Sequence, residues 1–288
     1  MTILLIGAAG QLGRELKRSL ACLGDLVACD RSQIDLADGT ALRAAVRAHA
    51  PRAIVNAAAY TAVDRAEQEP DLARRINATA PAILAEEAKR LGALLIHYST
   101  DYVFDGAKPG PYVEYDTANP LSVYGHSKLE GEQAIAASGA RSVILRTSWV
   151  YGLHGANFMK TMLRLGRERD ELRVVDDQVG APTWTRHLAD ASAQILGRRD
   201  PPTGLYHLAA GGETSWHAYA STIFELALQL GMIAKIPLIH RIASADYPLP
   251  AQRPKNSRLD CSRFAREFGL TLPDWRIGLA DCLADARF

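Results

Sequence analysis

Short apolar runs alternate with amphipathic segments along the first half of the chain. The runs fall at residues 3–6, 26–28, 53–55, 94–96 and 143–145, and helical periodicity fills 12–23, 40–49, 71–91 and 123–137. Strand and helix taking turns predict a parallel sheet with helices on both faces. The runs are continuously apolar rather than alternating, as strands covered on both sides require. Right-handed crossovers then lead to a doubly wound, Rossmann-like α/β sheet. After Trp149 the pattern loosens. Helices are predicted at 157–167, 186–196 and 216–230, strands at 173–175 and 205–208, a proline-rich loop over 237–254, and short helical pieces at 262–268 and 277–286. The expected division is a nucleotide-binding domain over 1–150 and a smaller, mainly substrate-binding lobe over 151–288, with part of 170–210 returning to the first sheet.

The first run ends in Gly7-Ala8-Ala9-Gly10-Gln11-Leu12-Gly13, between a strand and a helix. Glycines there permit a tight turn and close approach of backbone to a pyrophosphate, and the helix N-terminus offers unpaired N–H groups. The second strand ends at Asp30, whose carboxylate suits the adenosine ribose hydroxyls of NAD(H). Arg31 follows and suits the extra phosphate of NADP(H), so the cofactor choice stays open between NADH and NADPH. Asp35 and Leu36 are placed to lie over the adenine, and the small residues of Asn56-Ala57-Ala58-Ala59-Tyr60-Thr61 allow that loop near the cofactor.

Tyr124 and Lys128 are four residues apart at the start of a predicted helix and so share one face. An ammonium beside a phenol favours the phenolate and makes tyrosine a workable acid–base group. Tyr124 is then the proton donor to a carbonyl oxygen as hydride arrives at carbon, and Lys128 is placed to bind the nicotinamide ribose. A hydroxyl from Ser99-Thr100 at the end of the fourth strand would hold the substrate oxygen; spacing does not separate the two.

Net charge is only +1 with 23% charged residues, which gives no electrostatic case for nucleic acid or an anionic membrane as partner. The four cysteines form no C-x-x-C pair, so neither zinc nor a disulfide scaffold is expected. The N-terminus lacks a signal-peptide pattern, and no apolar run approaches the roughly 20 residues a bilayer span needs. A cytoplasmic protein is expected. His97 reads as a packed strand residue, and Asn77 equally well as helix-surface polarity or a supporting group.

Stretches 7–13, 55–64, 97–104, 124–128, 146–151, 177–183 and 253–259 together resemble the dTDP-4-dehydrorhamnose reductase family of extended short-chain dehydrogenases. Ser99-Thr100-Asp101-Tyr102-Val103-Phe104 and Arg146-Thr147-Ser148-Trp149-Val150-Tyr151 are its most specific parts. The resemblance implies NAD(P)H-dependent reduction of the 4-keto group of dTDP-4-dehydro-6-deoxy-L-mannose to dTDP-L-rhamnose, for cell-surface polysaccharide such as lipopolysaccharide. It selects Thr100 over Ser99 and implies that Thr100, Asp101, Tyr124, Lys128 and Trp149 contact the sugar nucleotide. For the cofactor it implies Gly10, Gln11, Leu12, Asp30, Asp35, Leu36, Ala59, Tyr60, Thr61 and Tyr102. Trp149 is placed to pack on the deoxysugar ring, segments 157–160 and 178–183 to form a polar wall that includes Asn157, and Arg253 to hold the diphosphate through its planar fork. Related 4,6-dehydratases carry Asp-Glu after the strand-4 Thr; here Tyr102 follows Asp101, which disfavours elimination. Some family members use magnesium between carboxylates of a homodimer. Glu15 is present, but Arg186 stands where another glutamate is expected, so no metal ligands are assigned. The alternatives are a reductase or epimerase of another nucleotide sugar, and a non-catalytic regulatory subunit such as the β-subunit of methionine adenosyltransferase, which resembles this family.

Overall fold

The computed structural model describes residues 1–286. Its central sheet has six strands: β1 (Thr2–Ile6), β2 (Asp25–Cys29), β3 (Ala53–Asn56), β4 (Leu94–Thr100), β5 (Ser142–Thr147) and β6 (Gly204–His207). They lie in the order β2-β1-β3-β4-β5-β6 and every pairing is parallel. The chain moves from β1 to one side for β2 and then crosses to the other for β3. That reversal opens a crevice at the carboxyl ends of the strands, where ligands bind in such sheets.

The main helices are α1 (Gln11–Leu20), α2 (Gly39–His49), α3 (Ala80–Leu91), α4 (Val123–Ser138), α5 (Phe158–Glu168), α6 (Thr185–Leu196), α7 (Trp216–Gln229) and α8 (Trp275–Asp285). In β1 the period of two turns Ile3 and Leu5 to one face and Leu4 and Ile6 to the other. Leu12, Leu16 and Leu20 of α1 and Leu188 and Ile195 of α6 cover the first face. Leu42 and Val46 of α2, Ile83 and Leu84 of α3 and Ile135 of α4 cover the second. Residues 185–207 thus belong to the layers of the central sheet.

The lobe has its own core of Tyr151, Trp184, Tyr219, Phe224 and Trp275, built largely from α5, α7 and α8. Its strand Glu171–Val175 pairs in parallel with Leu238–Ile242. The second of these lies within the stretch expected to be loop. Its side chains are largely exposed, so no apolar alternation marks it and only the partner strand defines it.

The helix expected over 71–91 carries a π-helical turn, Arg75–Thr79, just before α3. Pro81 supplies no N–H to the carbonyl of Asn77 and so favours the altered register. The turn buries Asn77 completely, and a Cβ on Gly131 of α4 would lie 2.1 Å from its carbonyl oxygen. Among the described residues all four cysteines are free thiols, and no helix is long and apolar enough to cross a membrane.

Candidate active site

The glycine-rich turn is locked by contacts that admit no side chain. Gly7 has φ +86°, and a Cβ there would come within 2.7 Å of the Ala58 nitrogen. A Cβ on Gly13 would meet the Gly7 oxygen at 2.0 Å. Gly10 is the N-cap of α1 and contributes no side-chain bond, which leaves first-turn N–H groups for an anion. The Leu12 side chain turns into the core, so only its backbone faces the cradle. Gln11 accepts a 2.8 Å bond from Asn157.

At the end of β2, Asp30 accepts bonds from the Ser32 N–H at 2.8 Å and its hydroxyl at 2.6 Å, which hold its carboxyl below the usual range. Arg31 is 78% exposed and pairs loosely with Asp35 at 3.6 Å. Asp35 also accepts from the Ala37 N–H at 2.9 Å. Leu36 is buried in the core, which fixes this turn rather than presenting a free side chain. The loop Ala59-Tyr60-Thr61 follows β3. Asn77 clamps it: its Oδ1 accepts from the Tyr60 N–H at 2.8 Å, and its Nδ2 donates to the Tyr60 carbonyl and the Ser127 hydroxyl, both at 3.0 Å. The Tyr60 hydroxyl donates to Glu69 at 2.7 Å, so both the side chain and the backbone of Tyr60 are already engaged within the protein. Asn77 is a positioning residue, and surface polarity does not account for it.

Thr100 ends β4. Its hydroxyl donates to Asp101 Oδ1 and accepts from the Tyr102 N–H, each at 3.1 Å. Tyr124 stands in the first turn of α4, capped by Ser122, whose hydroxyl accepts from the Gly125 N–H at 3.2 Å. Gly125 lets the helix press on the strand end, since a Cβ there would be 2.3 Å from the Tyr102 oxygen. Tyr102 meets Tyr124 edge-on with ring centroids 5.5 Å apart. Thr100, Asp101, Tyr102, Tyr124 and Lys128 are thus brought together from two elements far apart in sequence.

The electrostatics differ from the expectation that Lys128 depresses the pKa of Tyr124. Burial pushes the Tyr124 phenol up to about 12; a hydrogen bond with Thr100 opposes this, and the charge of Asp101 adds to it. Lys128 falls to about 8 because it too is buried, with Glu132 pulling the other way. Its Nζ is turned to the Tyr98 carbonyl at 2.6 Å and His97 Nε2 at 3.1 Å, away from the role the spacing suggested. Burial raises Asp101 to about 6 against hydrogen bonds from Ser257 and Thr100, and its Oδ2 has no protein partner. An orphan oxygen this deep fits a polar group of a ligand.

Trp149 follows β5 with φ +48°, an unusual conformation for a bulky residue. Its indole stacks on Trp216, with centroids 3.6 Å apart and planes at 11°. A Cβ on Gly180 would lie 2.7 Å from the same indole. Trp216 in turn donates to Gln178 Oε1 at 3.1 Å. The expected polar wall is therefore partly aromatic, and Met159 is buried in the lobe core rather than on the wall. Asn157 is also reassigned. Its Oδ1 caps α5 by accepting from the Lys160 N–H at 3.0 Å, and its Nδ2 donates to Gln11 and to the Gly152 carbonyl at 2.8 and 2.7 Å. These bonds spend the amide on joining the lobe to the cradle. Arg253 forks onto Asp64 at 3.0 and 2.7 Å and donates to the Ala251 carbonyl at 3.2 Å, so it reaches the site already paired. Trp216, Gly180, Asn77 and His97 are the residues that sequence reasoning missed or underread. Pro81 inside a predicted helix was the available signal for Asn77; the others had none.

The residues around Glu15 do not fit the magnesium that the resemblance brings in. The Arg186 guanidinium lies between Glu15, at 3.2 Å, and Asp285, already supplying the positive charge a cation would bring. Arg18 pairs with Glu15 as well, at 3.2 Å. Among the described residues no three His, Cys, Asp or Glu side chains converge as a metal site.

A dinucleotide cradle facing a Thr–Tyr–Lys set across one crevice defines an oxidoreductase of the short-chain dehydrogenase class. Residues 1–288 match the RmlD substrate binding domain family. The dTDP-4-dehydrorhamnose reductase of Escherichia coli (strain K12) is 46% identical over 286 residues, covering 97% of this chain and 96% of that protein. That of Salmonella typhimurium is 45% identical over 292 residues, covering 99% and 98%. A crystal structure of dTDP-4-dehydrorhamnose reductase from Bacillus anthracis in complex with NADP matches with a TM-score of 0.92 at 34% identity, covering 99% of each chain. The chain belongs to the dTDP-4-dehydrorhamnose reductase family.

Proposed function

We propose that this protein reduces the 4-keto group of dTDP-4-dehydro-6-deoxy-L-mannose to give dTDP-L-rhamnose, the activated sugar for cell-surface polysaccharide. The observation that carries the reading is the convergence of Thr100, Asp101, Tyr124 and Lys128 at the carboxyl end of β4, beside a glycine cradle that only bare backbone can fill. When bound there, NADPH or NADH supplies the hydride. Tyr124 holds a proton firmly at neutral pH and gives it to the carbonyl oxygen. Thr100 orients that oxygen. Asp101, with a free buried Oδ2, accepts from or donates to a sugar hydroxyl according to its protonation. The Trp149–Trp216 stack gives the deoxysugar a flat apolar wall. Arg253, beside Tyr102, contributes positive potential toward the diphosphate. Asp30 is engaged by Ser32 while Arg31 is free to turn, which supports acceptance of a 2′-phosphate. Four free thiols suit the reducing cytoplasm, and any homodimer forms without a bridging metal.

The test is oxidation of NADPH and of NADH with dTDP-4-dehydro-6-deoxy-L-mannose generated in situ, with the product identified by NMR. Turnover to dTDP-L-rhamnose is expected. Cofactor binding without turnover on this substrate would redirect the assignment to another nucleotide sugar or a partner-binding role.

A further inference from the structure

Behind Tyr124 a chain of polar groups runs through the sheet from Lys128 to the cofactor loop. Asn56, His97 and Lys128 are all buried, at 1%, 1% and 2% exposure. The Ala58 N–H donates to Asn56 Oδ1 at 3.2 Å. Asn56 Nδ2 lies 3.1 Å from His97 Nδ1, and His97 Nε2 lies 3.1 Å from Lys128 Nζ. Lys128 Nζ also donates to the Tyr98 carbonyl at 2.6 Å. Ala58 is the residue whose nitrogen closes on Gly7 in the phosphate cradle.

The direction of these bonds is not free, because one end is fixed. A backbone N–H can only donate, so the Asn56 oxygen faces Ala58 and its NH2 faces His97. His97 Nδ1 must then accept. Burial by itself holds this imidazole well below its usual pKa, so it carries one proton, and with Nδ1 accepting that proton sits on Nε2. That proton points at Lys128 Nζ, which can accept it only as a neutral amine. We infer that Asn56 and His97 favour the uncharged form of Lys128, so that it loses its proton well below an ordinary lysine, and that protonating Lys128 reverses the chain and releases the Ala58 N–H of the cofactor loop.

In the reversed arrangement the ammonium donates to His97 Nε2, and Nδ1–H donates to Asn56 Oδ1. The amide must turn to present that oxygen, and its bond to Ala58 is lost. Lysine charge and loop anchorage are therefore linked, and by reciprocity whatever fixes the loop alters the proton affinity of Lys128. Other charged and titratable groups face this chain. On its own helix α4, Tyr124 lies one turn before Lys128 and Glu132 one turn after; Asp101 approaches from the end of β4, and Arg146 of β5 through Glu132. Glu132 favours the ammonium but is itself forked by Arg146. His97 and Asn56 are positioning residues, since they act on the reaction through Lys128.

The inference builds on the reductase reading but is tested without substrate or dinucleotide, so the two can fail separately. Lysine Cε labelled with carbon-13 is followed by NMR against pH in the full chain, with Lys128→Met identifying the resonance. In the wild type Lys128 is expected to titrate about 2 units or more below an ordinary lysine, and the Ala58 amide shift is expected to move with the same midpoint. Asn56→Asp is nearly isosteric, and its carboxylate accepts from both Ala58 and His97 Nδ1. That forces Nε2 to accept from an ammonium and should raise the Lys128 midpoint by about 1 unit or more. In His97→Phe the Ala58 amide should stop following the lysine. A Lys128 that stays charged up to about pH 9, a midpoint unmoved in Asn56→Asp, or an Ala58 response that survives in His97→Phe would overturn the inference.

Discussion

Glu132 and Arg146 form an ion pair that props up the catalytic strand, with side chains only 5% and 4% exposed. The guanidinium donates through Nε at 2.9 Å and Nη2 at 2.6 Å, and the Ser99 hydroxyl donates to the same carboxylate. Arg146 also lies over the Phe104 ring at 4.9 Å, while its Nη1 has no partner. Glu132→Leu would strand a buried guanidinium. Breaking a pair of this kind costs about 3–5 kcal/mol, because desolvation is no longer offset. That is a large part of the roughly 5–15 kcal/mol that holds a domain folded. At about 2–4 °C per kcal/mol for a large domain, Tm should fall by roughly 6–20 °C. Thermal unfolding and urea titration would measure the loss. The double variant Glu132→Leu/Arg146→Met removes both charges and should recover most of the stability. Turnover should stay low in the double variant, since Ser99 adjoins Thr100 and has lost its acceptor. A single-variant loss below about 1 kcal/mol, the range of exposed pairs, would refute the reasoning, as would a double variant no more stable than the single.

Four other outcomes are expected. Tyr124→Phe should lower kcat by about 10²–10⁴-fold, with dinucleotide affinity by fluorescence titration nearly unchanged. Asp101 holds its proton longer in the folded state than in the unfolded chain, from the usual 3.8 up to about 6. Stability should therefore fall by roughly 3 kcal/mol as pH rises from about 4 to about 6 and stay lower above; urea titrations of the wild type and of Asp101→Asn, which lacks this dependence, check it. Trp216→Ala removes the support of the Trp149 indole and should raise KM for the sugar nucleotide about tenfold, more than it alters cofactor binding in a parallel titration. Exhaustive chelation should leave both Tm and turnover unchanged, because Arg186 already neutralises Glu15 and Asp285; recovery of either on adding magnesium would contradict this.

Much of the fold was legible because its signals are local. Continuous apolar runs marked β1 to β5, the glycine turn marked the cradle, and four-residue spacing put Tyr124 and Lys128 on one helical face. The strand Leu238–Ile242 was not legible, since its side chains stay largely exposed and pairing alone defines it. Spacing gave Tyr124 and Lys128 their common helical face but not their environment: it predicted a phenol depressed by an ammonium, where burial raises one and lowers the other. Asn157 and Arg253 carried the right donors for a ligand, yet their bonds to Gln11 and Asp64 join across 146 and 189 residues of sequence. The sequence by itself determined the class of fold, the glycine turn after β1 and the shared helical face of Tyr124 and Lys128, because turn geometry and helical period act over a few residues. Only the tertiary structure decided which polar groups are already satisfied, how deeply each charge is buried, and that Trp216 stacks on Trp149, Asn77 clamps Tyr60 and His97 meets Lys128, because desolvation and hydrogen-bond satisfaction are set by neighbours distant in the chain.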